Sequence, residues 1–152
     1  AESIAAIKDA PAEDSTTATA RTRGRILIVD DEPMLIALMR RILSAEHDLV
    51  TVTKGQEAYD LISAGERFDV ILCDLMMPNM SGTELYSELA QSAPGQAERM
   101  VFLTGGAFTT AAKEFLDAAP NLRIEKPFDV RHLRTLVHDR IALVRGAGTN
   151  SG

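Results

Sequence analysis

The sequence predicts an α/β protein: a doubly wound parallel sheet of five strands, (βα)5, with helices on both faces. Three observations carry that expectation. From Arg25 onward, short apolar runs alternate with longer amphipathic segments, the pattern of repeated βα units. The runs are apolar throughout rather than alternating with polar residues, as strands covered on both faces must be. The residues that close the runs are polar and mostly acidic, and a doubly wound sheet collects its ligand chemistry beyond the carboxyl ends of its strands.

The elements follow in order. Residues 1–22 are rich in Ala, Ser, Thr and acids without a lasting apolar period and read as a flexible linker, with a short helix possible over 3–10. The first strand is expected over 25–29. The helix after it spans 33–45, starting at Pro33 and carrying Leu35, Leu38, Met39 and Ile42 on one stripe. A strand at 49–52 leads to a helix over 54–64 that stops at Gly65. The strand at 69–73 runs into Asp74 and a methionine-rich loop. Ser81 with Glu84 three residues later forms a capping box for a helix reaching Ser92, followed by a turn at Pro94-Gly95. A strand at 100–103, a short helix from Thr109 or Thr110 to Ala118 and a strand at 122–124 come next. The last helix, over 129–144, carries Val130, Leu133, Leu136, Val137, Ile141 and Val144 at helical spacing, with Gly146 closing it.

Composition narrows the class of function. With 152 residues, 45% hydrophobic and 25% charged, the chain fits one domain of ordinary globular composition. The net charge of -6 includes four acids and one lysine within residues 1–20. No basic stripe stands out, which argues against direct contact with nucleic acid. Cys73 is the one cysteine and lies inside an apolar strand, so a reducing, cytoplasmic setting is expected. No apolar run reaches the roughly 20 residues that span a bilayer, so no membrane contact is expected of this domain. The chain begins with Ala, which hints at a piece of something longer.

The strand-end residues make a constellation. Asp30, Asp31 and Glu32 follow the first strand, Asp74 the third, Thr104 the fourth and Glu125-Lys126-Pro127 the fifth. Carboxylates converging on one edge repel one another, so the arrangement calls for a cation. Hard oxygen ligands from Asp31 and Asp74, with Asp30 acting through water, suit Mg²⁺. Taken singly, each residue has a plainer reading: acids at a helix start favour its dipole, Lys126 is a solvated lysine, Thr104 ends a strand. Together they describe phosphoryl chemistry, with Asp74 as nucleophile, Lys126 as a point charge on one phosphoryl oxygen and the Thr104 hydroxyl on another.

In that order and at that spacing the chain resembles the receiver domain of two-component response regulators. The motifs are Asp30-Asp31-Glu32 after the first strand, Asp74-Leu75-Met76-Met77-Pro78 running to Gly82, Thr104-Gly105 after the fourth strand, and Glu125-Lys126-Pro127-Phe128. The resemblance covers residues 25–144 and implies a flavodoxin-like three-layer sandwich with strand order 2-1-3-4-5. The receiver would occupy residues 23–145, between the linker and a disordered tail at 146–152. It further implies phosphoryl transfer from a phosphohistidine, on a histidine kinase or a histidine phosphotransfer domain, to Asp74. Mg²⁺ would be held by Asp30, Asp31, Asp74 and the backbone carbonyl of Met76, Lys126 and Thr104 would contact the phosphoryl group, and the peptide before Pro127 would be cis.

Within the resemblance, the Thr-Gly-Gly-Ala-Phe-Thr stretch at 104–109 together with 125–128 is most similar to receivers fused behind sensor histidine kinases. The expected state is a monomer or weak dimer whose only catalysis is its own phosphorylation and dephosphorylation. One departure is plain: the family usually has an aromatic residue three before the lysine, and here Arg123 stands there. It keeps open a second reading, a module that binds its partner regardless of phosphate. A third, a phosphohydrolase with an Asp nucleophile, is disfavoured because Met76 occupies the position where enzymes resembling the haloacid dehalogenase group carry a second Asp. The Gly105-Gly106 pair is expected to leave its loop flexible. Met76, Met77 and Met80 read as packing rather than as a soft metal site.

Overall fold

The computed structural model describes residues 23–77, 80–105 and 109–151, with the backbone alone from residue 146. The expected linker at 1–22, Pro78, and the loop at 106–108 lie outside the described residues. Five parallel strands, β1 (Arg25–Val29), β2 (Asp48–Val52), β3 (Val70–Asp74), β4 (Met100–Gly105) and β5 (Arg123–Lys126), form one sheet in the order β2-β1-β3-β4-β5. Among the described residues six helices follow: α1 (Pro33–Leu43), α2 (Gly55–Ser63), α3 (Gly82–Ser92), α4 (Pro94–Ala97), α5 (Thr110–Ala118) and α6 (Val130–Ser151).

The period-two alternation of a strand divides the core in two. On β1, Ile26 and Ile28 face one layer with Ile36, Met39 and Leu43 of α1 and Leu133, Val137 and Ile141 of α6. Leu27 and Val29 face the other, against Ala58 and Ile62 of α2, Leu85 and Leu89 of α3 and Leu116 of α5. Every residue of β3 is buried, so this strand runs down the middle of the molecule and delivers whatever follows it to the sheet's upper rim. At roughly 1.5–3 kcal/mol for each large apolar side chain buried, the two layers fix the strand register firmly.

Local chemistry sets most boundaries where the sequence places them. Ser81 Oγ accepts the Glu84 N–H and Glu84 Oε1 accepts the Ser81 N–H at 2.8 Å, closing the capping box at α3. Thr109 caps α5 through the Ala112 N–H. Gly65, at φ 109°, supplies the left-handed residue that ends α2. The Lys126–Pro127 peptide is cis.

Other boundaries differ from the expectation. Helix α1 stops at Leu43 rather than 45, and the carbonyls of Ser44, Ala45 and His47, which have no helical partner beyond that end, accept from the Arg23 guanidinium instead. The turn at Pro94-Gly95 is a short helix, α4. The buried Gln96 side chain pins it by accepting the Phe68 N–H at 2.9 Å and donating to the Phe68 carbonyl at 3.2 Å. Helix α6 does not close at Gly146, and the backbone expected as a tail stays helical to Ser151. A glycine in a helix costs only about 1 kcal/mol relative to alanine, and no proline follows to force a stop.

Candidate functional site

The upper rim of the sheet is where backbone pairing hands over to side chains. Asp30 extends β1 by one more ladder bond, its N–H donating to the Val52 carbonyl at 3.2 Å, and is fully buried. Its Oδ1 accepts the Glu32 N–H at 2.9 Å, which turns the chain into α1 and leaves the neighbouring Asp31 exposed. Asp74, the last residue of β3, is buried as well, and its Oδ1 accepts the Met76 N–H at 3.2 Å. One carboxylate oxygen from each of Asp30, Asp31 and Asp74 lies within 4.8 Å of the others. Lys126, at the end of β5, reaches across β4 to place Nζ 3.3 Å from Asp30 Oδ2 and 3.5 Å from Asp74 Oδ2. Two of the three carboxylates thus share one ammonium, and the third, Asp31, adds its charge beside them.

The electrostatics follow from that imbalance. Burial, with the opposing pull of the Glu32 N–H and Lys126, leaves the Asp30 carboxyl above its ordinary range. Burial and the charge of Asp30 raise Asp74 likewise. Burial works against the Lys126 ammonium, but Asp30 and Asp74 outweigh it and raise its pKa. Both acids are therefore held under strain as anions, and a cation placed among them relieves it. The donor set is all hard oxygen, which fits a divalent ion of the Mg²⁺ or Ca²⁺ kind and not a soft one.

The exit from Asp74 is shaped by a glycine. A Cβ on Gly82 would stand 2.8 Å from the Asp74 carbonyl oxygen and 2.9 Å from Leu75 Cα, closer than side-chain carbons approach backbone. The Gly82 N–H instead donates to the Leu75 carbonyl at 3.0 Å, so the first turn of α3 sits directly on the peptide after Asp74.

The family follows from a comparison with known proteins. Residues 26–138 match the model of the response regulator receiver domain. The chain belongs to that family. Protein RcaC of Microchaete diplosiphon is 31% identical to this receiver over 123 residues, which are 81% of this chain and 18% of RcaC. The osmosensing histidine protein kinase SLN1 of Saccharomyces cerevisiae is 29% identical over 135 residues, 85% of this chain and 11% of the kinase. The receiver thus spans a small part of these relatives. Among solved structures, one described as adenylate cyclase from Rhodopirellula baltica superposes with a TM-score of 0.73 at 27% identity, covering 86% of this chain and 96% of that one. The receiver domain of a sensor histidine kinase from Pseudomonas aeruginosa, solved with a magnesium ion in its active-site cleft, shares the fold at a TM-score of 0.68 and 23% identity, covering 80% and 99%.

Of the residues singled out from the sequence, Asp30, Asp31, Asp74 and Lys126 meet directly in this receiver. Thr104 reaches the same rim on β4, buried and in register with Glu125, but its hydroxyl does not hydrogen-bond the acids or Lys126. Met76 touches the site through its backbone N–H, while its side chain is 44% exposed. Arg123 is exposed on the edge strand, away from the core. One supporting residue escaped the sequence reading. A Cβ on Gly55 would lie 2.7 Å from the Met80 carbonyl, so the start of α2 buttresses the loop after Asp74. A glycine as first residue of a helix, where Ser or Asp is ordinarily preferred just before, was the available signal. Among the described residues no helix is long and apolar enough to cross a membrane.

Proposed function

We propose that this receiver is a phosphoacceptor in a two-component relay, taking a phosphoryl group from a phosphohistidine onto Asp74. The observation that carries the reading is the meeting of three carboxylates within 4.8 Å of one another with one lysine 3.3 and 3.5 Å from two of them. Asp30, Asp31, Asp74 and the Met76 carbonyl are the groups that would hold Mg²⁺. Bound there, the ion neutralises the carboxylates and offers positive charge to the phosphoryl oxygens.

The chain's own groups do the rest. A carboxylate oxygen of Asp74 attacks phosphorus, the P–N bond to the donor histidine breaks, and its electron pair stays on the imidazole nitrogen, which takes up a proton from solvent. Met76 N–H fixes the orientation of the Asp74 carboxylate for an in-line approach. Lys126, already drawn toward Asp74 Oδ2, binds a phosphoryl oxygen as charge builds there. Thr104, with its hydroxyl uncommitted to the acids, supplies a hydrogen bond to another.

The donor is a histidine kinase or a histidine phosphotransfer domain. Met34, 83% exposed, and Leu38, 41% exposed, stand one turn apart on α1 next to Asp31 and offer an apolar strip for a partner helix. The similarity to segments of much longer histidine kinases supports a place within such a kinase, on the cytoplasmic side. The exposed Arg123, in place of an aromatic, favours a second reading in which the domain binds its partner whatever its phosphorylation state.

Incubation with acetyl phosphate and Mg²⁺, followed by intact-mass measurement, is expected to add one phosphoryl group, and Asp74→Ala to abolish it. Labelling that survives in Asp74→Ala would remove Asp74 from the mechanism. Equal partner affinity for wild type with and without a phosphoryl mimic would decide for the second reading.

A further inference from the structure

At the opposite end of β3, about 13 Å from the acids at 3.3 Å per residue, an open groove of about 490 Å³ is bounded by Arg67, Arg99 and Ser92, with residues 93–95 as its floor. Four arginines on other parts of the surface, Arg23, Arg25, Arg134 and Arg145, pair with Asp48, Glu66, Glu46 and Asp69. Arg67 and Arg99 are held differently. Arg67 Nη1 donates to the carbonyls of Ile62 at 3.0 Å and Glu66 at 2.8 Å, and Arg99 Nη1 donates to the Phe68 carbonyl at 3.0 Å. Among the described residues neither forms an ion pair with a carboxylate.

Carbonyls fix a guanidinium in place without cancelling its charge, so both forks keep their remaining N–H groups and a full positive charge at one groove. The Phe68 carbonyl that anchors Arg99 is itself locked by the buried Gln96, so the arrangement is rigid before any ligand arrives. The acids nearest in sequence, Glu66 and Glu98, do not line the groove, and Glu66 is taken up by Arg25.

We infer that this groove is a second binding site, for the phosphate of a small phosphate monoester. Two fixed guanidiniums match a monoester carrying about 1.5 to 2 negative charges at neutral pH better than a singly charged carboxylate, and Arg presents paired donors to phosphate oxygens. The groove is larger than free phosphate requires, and the floor of 93–95, with no atom within 4 Å of a Cβ built on Gly95, leaves room for the esterified group.

Phenyl phosphate and inorganic phosphate, titrated into the Mg²⁺-free domain while amide shifts are followed, test this. Saturable shifts at Ser92, Gly95 and Arg99 are expected, tighter for phenyl phosphate and unchanged in Asp74→Asn. Gly95→Glu places a carboxylate in the groove without touching either arginine's anchors and is expected to weaken binding at least tenfold. Arg99→Lys keeps the charge but loses the fork, and is expected to weaken it several-fold. Shifts confined to Asp30, Asp74 and Lys126, equal affinity for the two probes, or a response that never saturates, meaning an adventitious ion only, would each overturn the inference.

Discussion

Replacing Asp74 by asparagine is expected to stabilise the metal-free domain, although it removes the centre of the site. At an effective dielectric of about 20, Lys126 at 3.5 Å attracts the Asp74 charge by about 4.7 kcal/mol, and Asp30 at no more than 4.8 Å repels it by at least about 3.5 kcal/mol. Asp31 is exposed and screened by water, and at the same limit it adds about 0.9 kcal/mol of repulsion. The charges nearly cancel. What is left is the desolvation of a carboxylate whose side chain is only 11% exposed, several kcal/mol, set against one charge-assisted hydrogen bond from Met76. Asparagine keeps an acceptor for that N–H and sheds the desolvation.

A gain of about 2 kcal/mol, or about 6 °C in Tm for a chain of this size, is therefore expected in EDTA at neutral pH, by urea and thermal unfolding. The gain depends on pH in a definite direction. Asp74 and Asp30 have pKa values raised above 3.8 in the folded state, so folding takes up protons as pH rises past the unfolded value. The stability this gives the wild type is complete below about pH 4 and is lost as pH climbs through the raised values. The difference between wild type and Asp74→Asn should accordingly vanish near pH 4 and widen toward neutrality. Destabilisation of Asp74→Asn by more than about 1 kcal/mol in EDTA would refute the reasoning, because it would mean Lys126 already satisfies the acids without a cation.

Two further outcomes follow from the geometry. Gly82→Ala gains about 1 kcal/mol of helix propensity but drives a Cβ into the backbone of Asp74 and Leu75, so a net loss of about 2 kcal/mol is expected in urea unfolding, together with slower phosphorylation. His47 is buried, accepts the Gly24 N–H at Nδ1, and has its pKa lowered below 6.5 chiefly by burial. The unfolded chain takes the proton first as pH falls, so stability should decline below about pH 6.5 by up to about 1.4 kcal/mol per pH unit. Replacement by glutamine should flatten that slope, and an unchanged slope would assign it to other groups.

What was legible in the sequence, and what was not, divides along a physical line. The strands, their burial and the rim position of Asp30, Asp74 and Lys126 could be read because each rests on a local pattern: an apolar run ends, and a polar residue must sit where the run meets solvent. The capping box at Ser81 and the stop at Gly65 are local too. Arg23 capping the carbonyls after α1, Gln96 pinning α4 and Gly55 making way for Met80 depend on partners 21 to 28 residues away. No single-sequence period encodes such pairings. The same division explains Asp74. Its place at the end of β3 is a local fact, but its strained charge state arises only when Asp30, 44 residues earlier, and Lys126, 52 residues later, arrive beside it. A carboxylate positioned by short-range pattern and held under strain by long-range charge responds to whatever changes that charge. That is why neutralising the site, by a cation or by Asp74→Asn, is expected to move the stability of the whole domain and not only its chemistry.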